Sequence, residues 1–378
     1  MKIKFSITIA AIFLTAILIP LIISLLRTNI SINEKEIKYS QDKEYYFRIN
    51  INGKEDKIYF AQEPFNQIGK ERKYIFKKVN KILELGGVND SLLYFPVAIK
   101  ADSEGNFYVL DQIARCVKKF SGRGKLLRII GHEGTAPGEF KYPIRLFLDP
   151  NKNIYVYDDH SGLLTRFSKD IIQLRVKPGD SPTEFCPLDS SKIVVLKYSI
   201  NSFDIITQYN IEGKIENIYK TILDARSKTK DFKFFGHIFM GDIIRLSSTR
   251  FVHIPECFNQ LFFYNEKTLE RIVTTIDKTS YPILFVESGP DFRHISYKSL
   301  DEYIINWAAF MVGEELIILN SKETKKDCLM LDVYCIIDGL YKHSIKLSGI
   351  GAFSAMEMTH NKIYVISDDS KVKIFSYE

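Results

Sequence analysis

Two histidines, His132 and His160, and two adjacent carboxylates, Asp158 and Asp159, are the side chains in this 378-residue sequence whose types best suit chemistry at a metal. Imidazole and carboxylate together suit zinc, and a divalent ion with an open position would activate water for hydrolysis or polarise a substrate for elimination. Two features weigh against that use. Asp158 recurs as Asp111 at a matching turn, where an aspartate ordinarily caps its own loop. His132 lies in Gly-His-Glu-Gly, which reads as an exposed turn. The expectation is therefore that no metal is held, with calcium or zinc as the alternative. Gly-x-Ser-x-Gly elbows, His-Glu-x-x-His pairs and phosphate-binding glycine loops are missing from the sequence.

These residues need elements to carry them, and an internal repeat supplies the elements. Residues 95–130 match residues 142–177 at a constant offset of 47, with ten identities over 36 positions. Pro96, Asp102, Asn106, Tyr108, Val109, Asp111 and Phe120 find Pro143, Asp149, Asn153, Tyr155, Val156, Asp158 and Phe167. Each unit reads as four short strands separated by Gly, Asn and Asp turns. Fainter copies place second strands near 194, 252, 317 and 364, which makes six units at a mean spacing of about 51 residues. The last unit ends after its third strand, and Lys81-Ile-Leu-Glu-Leu resembles a fourth. Pairing of Ile82–Leu85 with Lys371–Phe375 would close a ring and leave no raw edge.

On that layout, loops between second and third strands share a face with the loops between units. The face gathers Asp111, Arg115, Asp158, His160, His253, Glu256 and Asp368 as a binding surface, with His132, Asp159 and Asp369 beside them. Trp307 is expected to pack between units.

Before the repeats, Phe5 to Leu26 carries no charge over 22 residues. As a helix it would be about 33 Å long, enough for a hydrocarbon core of about 30 Å. A cleaved signal would have a shorter apolar core and small residues at a cleavage site, which Ile-Pro-Leu-Ile-Ile-Ser-Leu-Leu-Arg does not offer. An uncleaved single-pass anchor over residues 1–27 follows, with the large domain on the extracytoplasmic side. Residues 28–75 read as a linker with a hairpin, because Asn52-Gly53 separates two strand-like runs. Residues 76–378 hold the repeats. Lys2, Lys4 and Arg27 account for half of the net charge of +6, so the rest has no electrostatic footprint for nucleic acid. The basic stretch Lys70, Arg72, Lys73, Lys77, Lys78 and Lys81 reads as a solvated face. Five scattered cysteines without a Cys-x-x-Cys pair read as free thiols.

The pattern Pro96, Asp102, Gly105, Asn106, Tyr108, Val109, Asp111, Arg115 and Phe120 resembles the NHL repeat. The second unit has Lys152 and Gly162 in place of the Gly and Arg of that pattern, and later units keep only the apolar skeleton. The resemblance implies an all-β, six-bladed β-propeller of NHL or TolB-like type, preceded here by one transmembrane helix. Propellers of this kind include calcium-dependent lactonases and lyases as well as members that only bind partners, so fold alone leaves function open. Because few ligands converge from the middle units, the leading reading is a binding or scaffold module for a protein or glycan partner. The alternative is a metal-dependent hydrolase or lyase at the channel mouth.

Overall fold

The protein is described from a computed structural model over residues 46–378, apart from 52–53, 61, 68–70, 88–89, 169–170, 176–179, 200–204, 220–238, 278–283, 289–292, 298–305 and 326–327. The expected anchor, residues 5–26, lies outside the described residues, and among those described no helix is long and apolar enough to cross a membrane.

The repeat becomes a blade through its own polar residues. In blade 1, strands Pro96–Ala101, Phe107–Asp111, Cys116–Phe120 and Leu126–Ile130 form one antiparallel meander. Asp102 turns the first strand into the second by accepting from the backbone N–H of Glu104 (3.0 Å) and Asn106 (2.9 Å) and from the Tyr108 hydroxyl (3.1 Å). Asp149 repeats this with Asn153 N–H (2.9 Å) and Tyr155 hydroxyl (3.3 Å). The Asp, Asn and Tyr of the motif are thus one turn device. That turn needs a left-handed residue, which is Gly105 (φ 80°) in blade 1 and Lys152 (φ 63°) in blade 2. The next turn reverses the choice, with Arg115 (φ 52°) in blade 1 and Gly162 (φ 65°) in blade 2. The two departures from the motif therefore keep the backbone and change only which residue bears the strain.

Blade 2 runs Pro143–Leu148, Ile154–Asp158, Leu163–Phe167 and Ile171–Arg175, and blade 3 runs Asp180–Pro187, Lys192–Ser199, Ile206–Asn210 and Ile215–Ile218. Blade 4 has Gly241–Arg245, Phe251–Pro255, Gln260–Tyr264 and Leu269–Thr274. Blade 5 has Asn306–Val312, Glu315–Asn320, Cys328–Cys335 and Tyr341–Ser348, and Tyr74–Lys77 adds a fifth strand parallel to the last. Blade 6 has Phe353–Met358, Lys362–Ser367 and Lys371–Tyr377, completed by Val79–Gly86. The expected closure is present: Leu85 faces Val372, Glu84 faces Lys373 and Leu83 faces Ile374. Second strands are buried almost throughout, and apolar layers such as Tyr108, Val117, Leu146 and Val156 form between neighbouring blades. First strands of adjacent blades touch all the way round, so the six enclose a channel.

The hairpin pairs Tyr46–Ile51 with Lys54–Tyr59. It also joins Leu284–Ser288 and Arg293–Tyr297, which lie between blades 4 and 5, in a separate four-stranded sheet. The chain between hairpin and ring is laced into the propeller. Phe60 packs among Phe258 and Phe262 of blade 4, and Phe65 exchanges backbone hydrogen bonds with Ile272 and Thr274. Arg72 departs from the solvated face expected of its basic stretch. Its guanidinium contacts Asp332 (2.9 and 3.2 Å) and Asp277 (2.8 Å), with only 12% of the side chain exposed. Burial works against its charge, but the two carboxylates more than offset that and raise its pKa.

Candidate functional site: the charged channel

The aspartates at the inter-blade loops are occupied by structure. Asp111 is fully buried and accepts from the N–H of Tyr94 (2.9 Å) and Phe95 (3.0 Å) and from the Lys118 ammonium (2.8 Å). Burial pushes its carboxyl up, yet Lys118 and those N–H groups more than compensate and hold it below the ordinary range. Asp158 makes the matching contacts in blade 2, accepting from Lys141, Tyr142 and Ser161 N–H at 2.7, 2.8 and 2.8 Å. Both aspartates clamp the segment entering a blade to the turn that leaves its second strand.

The other residues on that face are dispersed. Arg115 pairs with Glu133 (2.7 Å) and donates to the Lys141 carbonyl (3.2 Å). His132 is largely exposed, with Nδ1 3.7 Å from Glu139, while Asp159, His160, Asp368 and Asp369 are exposed on their loops. His253 is fully buried and its Nε2 donates to the Phe239 carbonyl (2.7 Å). Burial depresses its pKa to about 4, which keeps it neutral. Among the described residues, no three His, Cys, Asp or Glu side chains converge as metal ligands would. The five cysteines are free, and burial pushes Cys186 and Cys257 up to about 12, far from a reactive thiolate.

The channel itself carries charges that sequence reading did not select. A cavity of about 350 Å³ is lined by residues of all six first strands, including Lys100, Phe147, Glu184, Asp242, Phe310 and Glu357. It reaches Asp102, Pro150 and Lys152, so it opens at the turns between first and second strands. That is the opposite side of the propeller from Asp111 and His160.

Lys100 of blade 1 meets Glu357 of blade 6 at 2.8 Å. Burial opposes the Lys100 charge, but Glu357, then Glu184 and Asp242, outweigh it and raise the pKa. Glu184 has Arg145 at 3.9 Å as its ion partner, and Asp242 accepts from Ala309 N–H at 2.6 Å. Burial, reinforced by the charge of Asp242, pushes Glu184 up to about 8, and Asp242 is raised in turn, chiefly by burial. The Glu184 side chain still keeps 20% of its surface open to the channel. Water there moderates the energetic weight of the shift while leaving its direction. Glu184 is therefore a carboxyl of reduced acidity beside a second one, Asp242.

Two signals in the sequence mark these positions. Where the first two units align, Ala98 faces Arg145 and Lys100 faces Phe147, so charge appears where the repeat breaks. Glu184, Asp242 and Glu357 likewise place an acidic residue in the first strands of blades 3, 4 and 6.

No family model matches the chain, and no curated protein matches it. Solved structures do. A protein of Bacteroides fragilis named as exported superposes with a TM-score of 0.53 at 12% identity, over 83% of this chain and 98% of that one. A member of the DUF4221 family from Bacteroides vulgatus gives 0.52 at 11%, over 79% and 98%. Virginiamycin B lyase of Staphylococcus aureus gives 0.45 at 12% and bears on nothing beyond that. Identities this low speak to architecture alone, and with the strand order they establish that architecture: the chain is a six-bladed β-propeller.

Proposed function

We propose that the chain is an exported, membrane-tethered propeller that binds a protein or glycan partner and admits part of it to the channel. The observation that carries this reading is the distribution of charge. Asp111 and Asp158 are saturated by backbone donors, whereas Glu184 and Asp242 line an open cavity with few partners. Such spread-out, incompletely paired groups suit recognition, because a ligand that satisfies them recovers the cost of having buried them. The uncharged run from Phe5 to Leu26 supports tethering, and the name of the Bacteroides fragilis neighbour is in keeping with export.

The test is thermal unfolding of the full chain with peptides, oligosaccharides and a DNA duplex. A saturable rise in Tm with one of the first two, absent with DNA and lost in Glu184→Gln, is the expected result. Turnover requiring zinc or calcium would replace it with the hydrolase or lyase reading. Protease added to intact cells should digest the propeller, and full protection would refute export.

A further inference from the structure

The carboxylates of the channel are placed across it rather than together. In a closed ring of six, blade 3 stands opposite blade 6 and blade 4 opposite blade 1, so Glu184 faces Glu357 across the channel while Asp242, next to Glu184 on its wall, faces Lys100. Lys100 already lies against Glu357, and Arg145 stands 3.9 Å from Glu184 without closing to a tight pair. Among the described residues no convergent shell for a single ion forms here. An elongated molecule with positive groups near its ends does meet both walls, and the cavity has the volume for one.

The opposite mouth offers an independent observation. Trp307, 56% exposed, stacks on Phe353 at 6.0 Å between ring centroids, where the first strands of blades 5 and 6 begin. The Glu256 carbonyl accepts from the N–H of Asn306, the neighbour of Trp307, so Glu256 belongs to this mouth. Burial, then Asp242, raises the Glu256 carboxyl. An exposed aromatic face attracts cations and offers nothing to anions. Toward the turn face the channel lining carries Asp242, Glu184 and Glu357 together with Lys100, Lys152 and Arg245.

We infer that the channel receives an organic cation bearing at least two primary ammonium groups, one held at Glu184 and Asp242 and another at Glu357. The inference rests on the binding-module reading and names the chemistry of its ligand. Free linear polyamines and lysine side chains presented by a protein partner share that chemistry. Burial and Asp242 raise the Glu184 carboxyl, and an ammonium arriving beside it lowers it again, so binding is coupled to proton release.

Calorimetric titration of the full chain with spermidine, a Lys-Gly-Lys peptide, calcium chloride and a neutral trisaccharide tests this. Measurements at pH 7 in two buffers of different ionisation enthalpy count the protons released. Saturable binding of spermidine or of the peptide with proton release is expected, and which of them binds identifies the source. Glu184→Gln should abolish the proton release and weaken binding at least about tenfold. Glu357→Gln should weaken it without removing the release, and His160→Ala should change neither. Binding of calcium or the sugar, lost in the same variants, would overturn the ammonium assignment and leave the binding module standing. Absence of binding by either amine, or amine binding indifferent to both channel variants, would also overturn it.

Discussion

Two sets of carboxylates occupy one molecule under opposite conditions. Asp111 and Asp158 sit at the inter-blade loops, each sealed by several N–H donors, with Lys118 added at Asp111. Glu184 and Asp242 sit in the channel, partly open to it, with a loose ion pair to Arg145 at Glu184 and the Ala309 N–H at Asp242. Asp111 is held below the ordinary carboxyl range, and Glu184 and Asp242 are raised above it. Burial is the leading influence on Asp111 as on Glu184 and Asp242, so the difference lies in how many donors the fold supplies. Positions that recur in the repeat are supplied with donors. Positions that break the repeat are not, and there the fold leaves capacity for something else to bind.

The largest effect should come from breaking the sealed set. Asp111→Ala strands the Lys118 ammonium and the N–H groups of Tyr94 and Phe95 in the interior. A loss of about 3–5 kcal/mol is expected for a severed buried pair, read from denaturant midpoints. A loss no larger than that of an exposed control such as Asp368→Ala would show the two sets to be equivalent.

His253 predicts the next effect. Its folded pKa of about 4 lies below the ordinary 6.5, so between those values the unfolded chain binds a proton that the native one refuses. Stability therefore falls as pH drops from 6.5 toward 4, by about 3 kcal/mol for the 2.5-unit shift. His253→Phe should flatten that limb, and an unchanged limb would place the acid sensitivity elsewhere.

The channel predicts the opposite slope. Glu184 has a raised pKa, so the native state holds a proton that the unfolded state gives up between about 4.5 and about 8. Stability should decline as pH rises through that window, and Glu184→Gln should remove much of the decline while changing stability at pH 5 by no more than about 1 kcal/mol. A parallel pH profile for the variant would mean that Glu184 is ionised throughout. Least affected should be His132→Ala combined with His160→Ala, on exposed loops, with a change within about 0.5 kcal/mol.

The architecture was legible because the same local devices recur. Asp102 with Asn106 and Tyr108, and Asp149 with Asn153 and Tyr155, spell one turn twice, and the four-stranded unit follows from it. The likeness of Lys81-Ile-Leu-Glu-Leu to a fourth strand likewise pointed to Val79–Gly86, which pairs with Lys371–Tyr377. The partner of the hairpin was not legible, because the parallel pairing of Ile49 with Leu284 joins distant segments with no matching pattern. What the sequence showed was only the wide gap between the fourth and fifth second strands. Nor did the channel lining stand out. A charged residue in a first strand reads like any solvent-facing one until the ring turns it inward, and Lys100 aligning with Phe147 gains meaning only once that inner position is known.

The comparison stands most directly on the protonation state of Glu184. Difference infrared titration of the full chain against Glu184→Gln, following the protonated carboxyl C=O band, isolates that group. A band present at pH 6.5, lost in the variant and bleaching with a midpoint near 8, is the result expected from the buried channel carboxyl. Bleaching complete by pH 5 would show Glu184 as sealed and ionised as Asp111, and the distinction between the two sets would fall.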